Sequence, residues 1–225
     1  MEVPRICVAG FGAHELKHVR PTTPPTDPIT RKLLREEGGP FGMGAVVDLG
    51  AVASVPSPPE VEDHRFKTAN ARHVEDLDDD EFLALLEQMS SPNLEAAFGP
   101  ALERVGAWKL AGECEAGDCS LAVIAAKKRP DVAVDRRFGK LQLRFADVAP
   151  RAYIPVNDIR FYEPDQHTVK KSAVEEIGHR LRTGVGAFLM FGLTRAYQAP
   201  HDDRERHWLQ LNGICLEDRA VGDTP

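Results

Sequence analysis

Residues 138–162 carry the most regular alternation in the chain. Leu141, Leu143 and Phe145 interleave with Lys140, Gln142 and Arg144. A period of two puts the apolar set on one face of a strand and the polar, cationic set on the other. Asp147 to Pro150 interrupt the pattern with turn-forming residues, and Ala152, Tyr153 and Ile154 resume it up to Pro155. The stretch predicts a hairpin with one side on a core and one side in water.

Elsewhere the pattern gives many short strands and few helices. Residues 5–9, 15–20, 105–111, 120–126, 132–134, 187–196 and 208–216 read as strands. Residues 120–126 (SLAVIAA) are almost continuously apolar, the mark of a strand covered on both faces. Residues 43–55 read as one long strand bent at Gly50. The clearest helix is 76–89, with acidic residues in its first turn and Leu77, Phe82, Leu85, Leu86 and Met89 as an apolar stripe. A shorter helix is expected at 93–98. Another lies within 168–182, where Val169, Val174, Ile177 and Leu181 share a side. Thr30 is placed to cap two helical turns over 30–37. The prolines of 21–28 exclude regular structure there. Residues 60–73, with His64, Arg65, Lys67, Arg72 and His73, read as a solvated polar loop, the alternative being a cationic loop open to a polyanion.

In each half a helix interrupts a series of strands, an order that suits a five-stranded OB-type barrel. The expected fold is mainly β with a few helices, as two small OB-like β-barrels packed in one compact unit. The first would span 1–106, with the proline-rich loop and helix 76–98. The second would span 107–217, followed by a disordered tail, 218–225.

At 225 residues and 42% hydrophobic the chain can build a sizeable core. The formal charge of -7 argues against indiscriminate coating of nucleic acid, while leaving room for a local basic groove. No apolar run is long enough for a membrane span and no secretory leader is visible, so a cytoplasmic location is expected. The four cysteines do not stand at zinc-finger spacing. Gly10-Phe11-Gly12 lacks the third glycine and following helix of a dinucleotide fingerprint. The acidic run 78–81 reads as helix N-terminal charge. None of the eight histidines lies in a known catalytic spacing, and no nucleophile elbow or phosphate loop is present. No cofactor, metal or enzymatic activity is expected.

Several passages in order resemble one bacterial family, the dual OB-containing domain proteins. They are HVRPTT; GAVVDLGAV with the proline-rich loop and His64; DDDEFLALLEQM; SLAVIAAKKR; LQLRFADVAPRAYIPVNDIRFYE; AFLMFGLTRAY; and WLQLNGIC. Together they span residues 4 to 217. The N-terminal turn departs from the family pattern, and the insert at 21–40 is longer. Arg20, Pro21, Val156 and Asp158 match its motifs. The resemblance implies paired OB barrels, a nucleic-acid or nucleotide role, and a place in bacterial conflict or antiviral systems.

The candidate nucleic-acid-binding residues are Arg20, Lys127, Lys128, Arg136, Arg137, Lys140, Arg144 and Tyr153. They combine cations for a phosphate backbone with a ring for stacking, to which Phe161, Tyr162 or Tyr197 could add. The alternative partner is a protein, with the chain serving as scaffold or adaptor.

Overall fold

The structure is a computed structural model that describes residues 5–106, 108–126, 129–135, 139–145, 152–200 and 202–218. In chain order the strands are β1 (Gly10–Phe11), β2 (His18–Thr22), β3 (Ala45–Asp48), β4 (Ala53–Ser54), β5 (Asp63–Arg65) and β6 (Arg72–Asp76). Helix α1 (Asp79–Met89), β7 (Ser90–Ser91) and α2 (Leu94–Phe98) follow, then β8 (Leu102–Val105), β9 (Lys109–Gly112) and β10 (Leu121–Ala125). The rest comprises β11 (Asp131–Val134), β12 (Leu141–Arg144), β13 (Tyr153–Pro155), α3 (Lys171–Thr183), β14 (Ala187–Leu193), β15 (Tyr197–Gln198) and β16 (Glu205–Leu216).

One large sheet dominates, with strands in the order β7-β10-β14-β16-β9-β8 and β15 added to β16. Its two faces explain the unbroken apolar runs. Ala187, Leu189, Phe191 and Leu193 of β14, with Ala122 and Ile124 of β10, point into the main core. That core is closed by α3 (Ala173, Val174, Ile177, Leu181) and by Leu141, Leu143 and Ile154 of the three-stranded sheet β11-β12-β13. Phe188 and Val123 point the other way and meet Phe82 and Leu86 of α1. Fully burying a side chain of this size is worth about 1.5–3 kcal/mol. Helix α1 begins at Asp78, which accepts from the Glu81 N–H at 2.8 Å, while Glu81 accepts from the Asp78 N–H at 3.1 Å. This capping box satisfies two N–H groups that the first turn cannot.

Strand β16 changes phase once. Met190 pairs with Gly213, but Phe191 pairs with Leu211, which leaves Asn212 as an extra residue. Leu209 and Leu211 face the main core before the bulge; Ile214 and Leu216 face it afterwards, with Cys215 turned to the α1 side. Such a bulge bends a strand and increases its twist. Asp158 and Arg160 pin the strand just beyond it. The Ile214 N–H donates to Asp158 Oδ2 at 3.2 Å, and Arg160 Nη2 donates to the Ile214 carbonyl at 2.5 Å. An isolated bridge between Val156 and Leu211 then carries β13 onto the same edge of β16 that β9 leaves.

The N-terminal part forms a four-stranded sheet, β1-β2-β5-β4, in which β2 and β5 are parallel, and a separate β3-β6 pair. Ile6, Ile29, Phe41 and Phe66 make its core.

The β-rich character with few short helices is as expected. So are α1, β10, β14, β16 and the β12–β13 pair, whose connecting turn, 146–151, lies outside the described residues. The two closed barrels are not what the pairing shows. Among the described residues each sheet is open, and the large one is a curled half-barrel. Residues 43–55 are two strands, because Gly50 at φ +68° turns the chain and its N–H bonds Asp48 Oδ1 at 2.7 Å. Residues 30–37 are two 3-10 turns, and the Thr30 side chain does not cap them. Strands β8 and β9, on either side of the expected division between 106 and 107, both belong to the large sheet.

Candidate ligand-binding face

Residues on β12 and β13 that do not face the core face outward, and there two expected site residues meet. Arg144 lies opposite Tyr153 in the ladder, with its guanidinium 5.2 Å from the ring centre. The neighbouring Asp131 leans instead toward Arg182, at 3.7 Å. On Tyr153 rests a second ring, Trp108, at 5.4 Å and tilted by 40°. The Tyr153 N–H donates to the Trp108 carbonyl at 2.9 Å, which fixes the two backbones together. Trp108 remains 49% exposed, unusual for so large an apolar ring. Lys140 is exposed at the start of the same hairpin.

The outward face continues across the seam between β13 and β16. Tyr153, Pro155 and Asn157 alternate outward, and Asn157 Nδ2 donates to Gln210 Oε1 on β16. Two residues back along β16 stands Trp208. Lys109 of β9 lies 4.8 Å from the centre of its ring, and Tyr197 of β15 packs against it at 6.2 Å. The Trp208 indole N–H donates to the Tyr197 carbonyl at 3.3 Å. Trp208 itself is buried, whereas Tyr197 is 47% exposed.

The other expected site residues fall elsewhere. Lys127, Lys128, Arg136 and Arg137 lie outside the described residues. Phe161 is buried, and the Tyr162 hydroxyl donates to the Val156 carbonyl at 2.6 Å, its phenol pushed up by burial. The Phe161 ring is closed to a ligand, and Tyr162 is half-buried against the main core. Arg20 is a correction: it is buried, donates from Nε to Asp63 Oδ1 at 2.7 Å and from Nη2 to Ser120 Oγ at 2.9 Å, and is spent inside the protein.

Arg20 belongs to a charge network that joins the N-terminal sheet to the large one. Asp63 also receives Arg195 Nη2 at 2.5 Å. Glu62 accepts from the Ser120 N–H at 2.7 Å, the Ser120 hydroxyl at 2.8 Å and the Leu121 N–H at 3.0 Å. Glu60 meets Arg195 Nη1 at 3.3 Å and His207 Nδ1 at 3.4 Å, the same nitrogen lying 2.9 Å from the Thr194 carbonyl. Each of these carboxylates has a cation or an N–H donor as partner. The correction extends to residues 60–73. Instead of one solvated loop they contain β5, a 3-10 turn and the start of β6.

Among the described residues no group of three or more His, Cys, Asp or Glu is placed to hold a metal ion. A pocket of about 250 Å³ is lined by Glu113, Cys114, Arg204, Glu205 and Arg206. Burial and nearby carboxylates push the Cys114 thiol up. No described helix is long and apolar enough to cross a membrane.

No protein-family model, curated protein or solved structure matches the chain. The fold and this face define a β-rich protein with one open, curled sheet and an outward strip of exposed rings and cations.

Proposed function

We propose that the chain is a non-catalytic binder of single-stranded nucleic acid or nucleotides. The observation that carries this reading is the Arg144–Tyr153–Trp108 stack on the outward face. Every base offers a π-face to such rings, and a guanidinium beside them meets the phosphate; stacking contributes about 1–3 kcal/mol per base. In this reading β10, β14 and β16, bridged to β13, β12 and β11, serve as one OB-like half-barrel whose solvent face holds the strand. The place in a bacterial conflict or antiviral system rests on the ordered motifs alone, as does a second OB-like unit.

The test is fluorescence anisotropy with labelled single-stranded DNA and RNA over a salt series. Binding is expected to weaken with salt at a slope of roughly -0.7 per phosphate contacted, so about -1.4 for Arg144 and Lys140 together. Trp108→Ala should lower affinity on the order of tenfold. An absence of salt-sensitive binding at micromolar protein would overturn the proposal. The second reading, a protein-interaction scaffold, is favoured by the same rings, since Trp, Tyr and Arg dominate protein hot spots, and by the acidic balance. It predicts a co-purifying protein, free of nucleic acid, that Trp108→Ala releases.

A further inference from the structure

We infer that the ligand is a strand long enough to touch two aromatic stations, and not a free nucleotide. This rests on the proposed nucleic-acid reading and extends it. The first station is Arg144, Tyr153 and Trp108. The second is Tyr197 on its Trp208 base, with Lys109 over the same indole.

Register places both on one face. On β13, Ile154 and Val156 point into the core, so Tyr153, Pro155 and Asn157 point out. On β16, Leu209 and Leu211 point into the core, so Trp208 and Gln210 point out. The Asn157–Gln210 hydrogen bond spans the seam between these outward rows, and the Val156–Leu211 bridge lies beneath it. The Val156–Leu211 bridge is parallel, so the outward rows Tyr153–Asn157 and Trp208–Gln210 run side by side, and the consecutive residues Trp108 and Lys109 make the two stations neighbours on this face. A mononucleotide brings one base, which stacks at one station and leaves the ring of the other without a partner.

The stations differ in charge, which gives each a separate signature. Arg144 makes no ion pair among the described residues. Around the second station Arg206 is held by Asp202 at 3.0 Å and lies 3.9 Å from Glu103, and exposed Glu205 lies opposite Gln198. Stacking there comes with little net attraction for phosphate. Loss of Tyr197 should therefore weaken binding without changing its salt slope, whereas loss of Arg144 should flatten the slope.

The experiment is competition anisotropy with oligo(dT) and oligo(U), from the mononucleotide to strands of roughly four to sixteen nucleotides, the span of single OB-type sites. Wild type, Tyr197→Ala and Arg144→Gln are compared, with near-UV circular dichroism to confirm that the fold is kept. Wild-type affinity should rise with length. Tyr197→Ala should erase that gain, on the order of tenfold for the long strands, and leave the shortest unaffected. A mononucleotide that competes as well as a long strand overturns the inference while leaving nucleotide binding intact. So does a Tyr197→Ala protein that matches wild type at every length. Failure of every probe to bind the wild-type protein instead removes the underlying reading, and this inference with it.

Discussion

Replacing Glu62 tests how firmly the N-terminal sheet is fastened to the large one. Its carboxylate is buried and accepts three hydrogen bonds from Ser120 and Leu121, at 2.7, 2.8 and 3.0 Å. Glu62→Ala strands two backbone N–H groups at the start of β10, each costing about 1–3 kcal/mol when buried without an acceptor. It also leaves the Ser120 hydroxyl with Arg20 alone. Against this, one buried anion no longer has to be desolvated, and its repulsion of Asp63 and Glu60 disappears. The net expectation is a loss of about 3–5 kcal/mol, typical of breaking one side of a buried charged contact. Glu62→Gln keeps a carbonyl oxygen for both N–H groups and gives up the charge, so about 1–2 kcal/mol is expected. For a chain of this size each kcal/mol moves Tm by roughly 2–4 °C, so the alanine variant should melt about 10 °C lower. Urea titration followed by far-UV circular dichroism and tryptophan fluorescence gives the free energies. An alanine variant within about 1 kcal/mol of wild type would refute the account. A glutamine variant as damaged as the alanine one would show that charge, and not the supply of acceptors, holds the joint.

Asp78→Ala removes one half of the α1 capping box and should cost about 1 kcal/mol, seen as faster amide exchange in the first turn, with Asp78→Asn restoring most of it. Burial pushes the Cys119 thiol up to about 11 and the Cys215 thiol up to about 12. Thiol labelling of the native protein at pH 8 should therefore modify exposed Cys7 first and reach Cys119 and Cys215 only on unfolding. Because an unfolded thiol ionises near 9, the unfolded chain sheds protons first above that pH. Stability should fall between pH 9 and about 11 to 12, and Cys215→Ser should blunt the fall. A flat stability profile across that window would contradict the burial of these thiols.

Much of the large sheet was legible because its strands announce themselves locally. The alternation in β12 and the continuous apolar runs of β10 and β14 follow from which faces are covered. The Asp78–Glu81 box is likewise a short-range signal. The carboxylates of residues 60–63 were not legible: a run of Glu, Asp, His and Arg looks solvated until its partners are known. Those partners, Ser120 and Arg195, lie 58 residues from Glu62 and 132 from Asp63 along the chain. The same limit applies to Arg20, which reads as a surface cation and is consumed by Asp63. Of the outward strip, Arg144, Tyr153 and Tyr197 could be named from sequence. Trp108 and Lys109 could not, because the pairing of β9 with β16 and the approach of β13 to Trp108 bring them to that face. The expected barrels failed for a related reason. Strand rhythm gives the number of strands, while closure depends on edges that meet far apart in sequence.

The extra residue at Asn212 lets a single segment obey two reading frames, odd-numbered positions inward before it and even-numbered positions inward after it. Excising one amino acid there would rotate everything downstream by half a repeat, sending Ile214 and Leu216 to the α1 side and Cys215 inward. The spacing from Leu211 to Ile214 is what keeps both faces of the strand in phase with their cores.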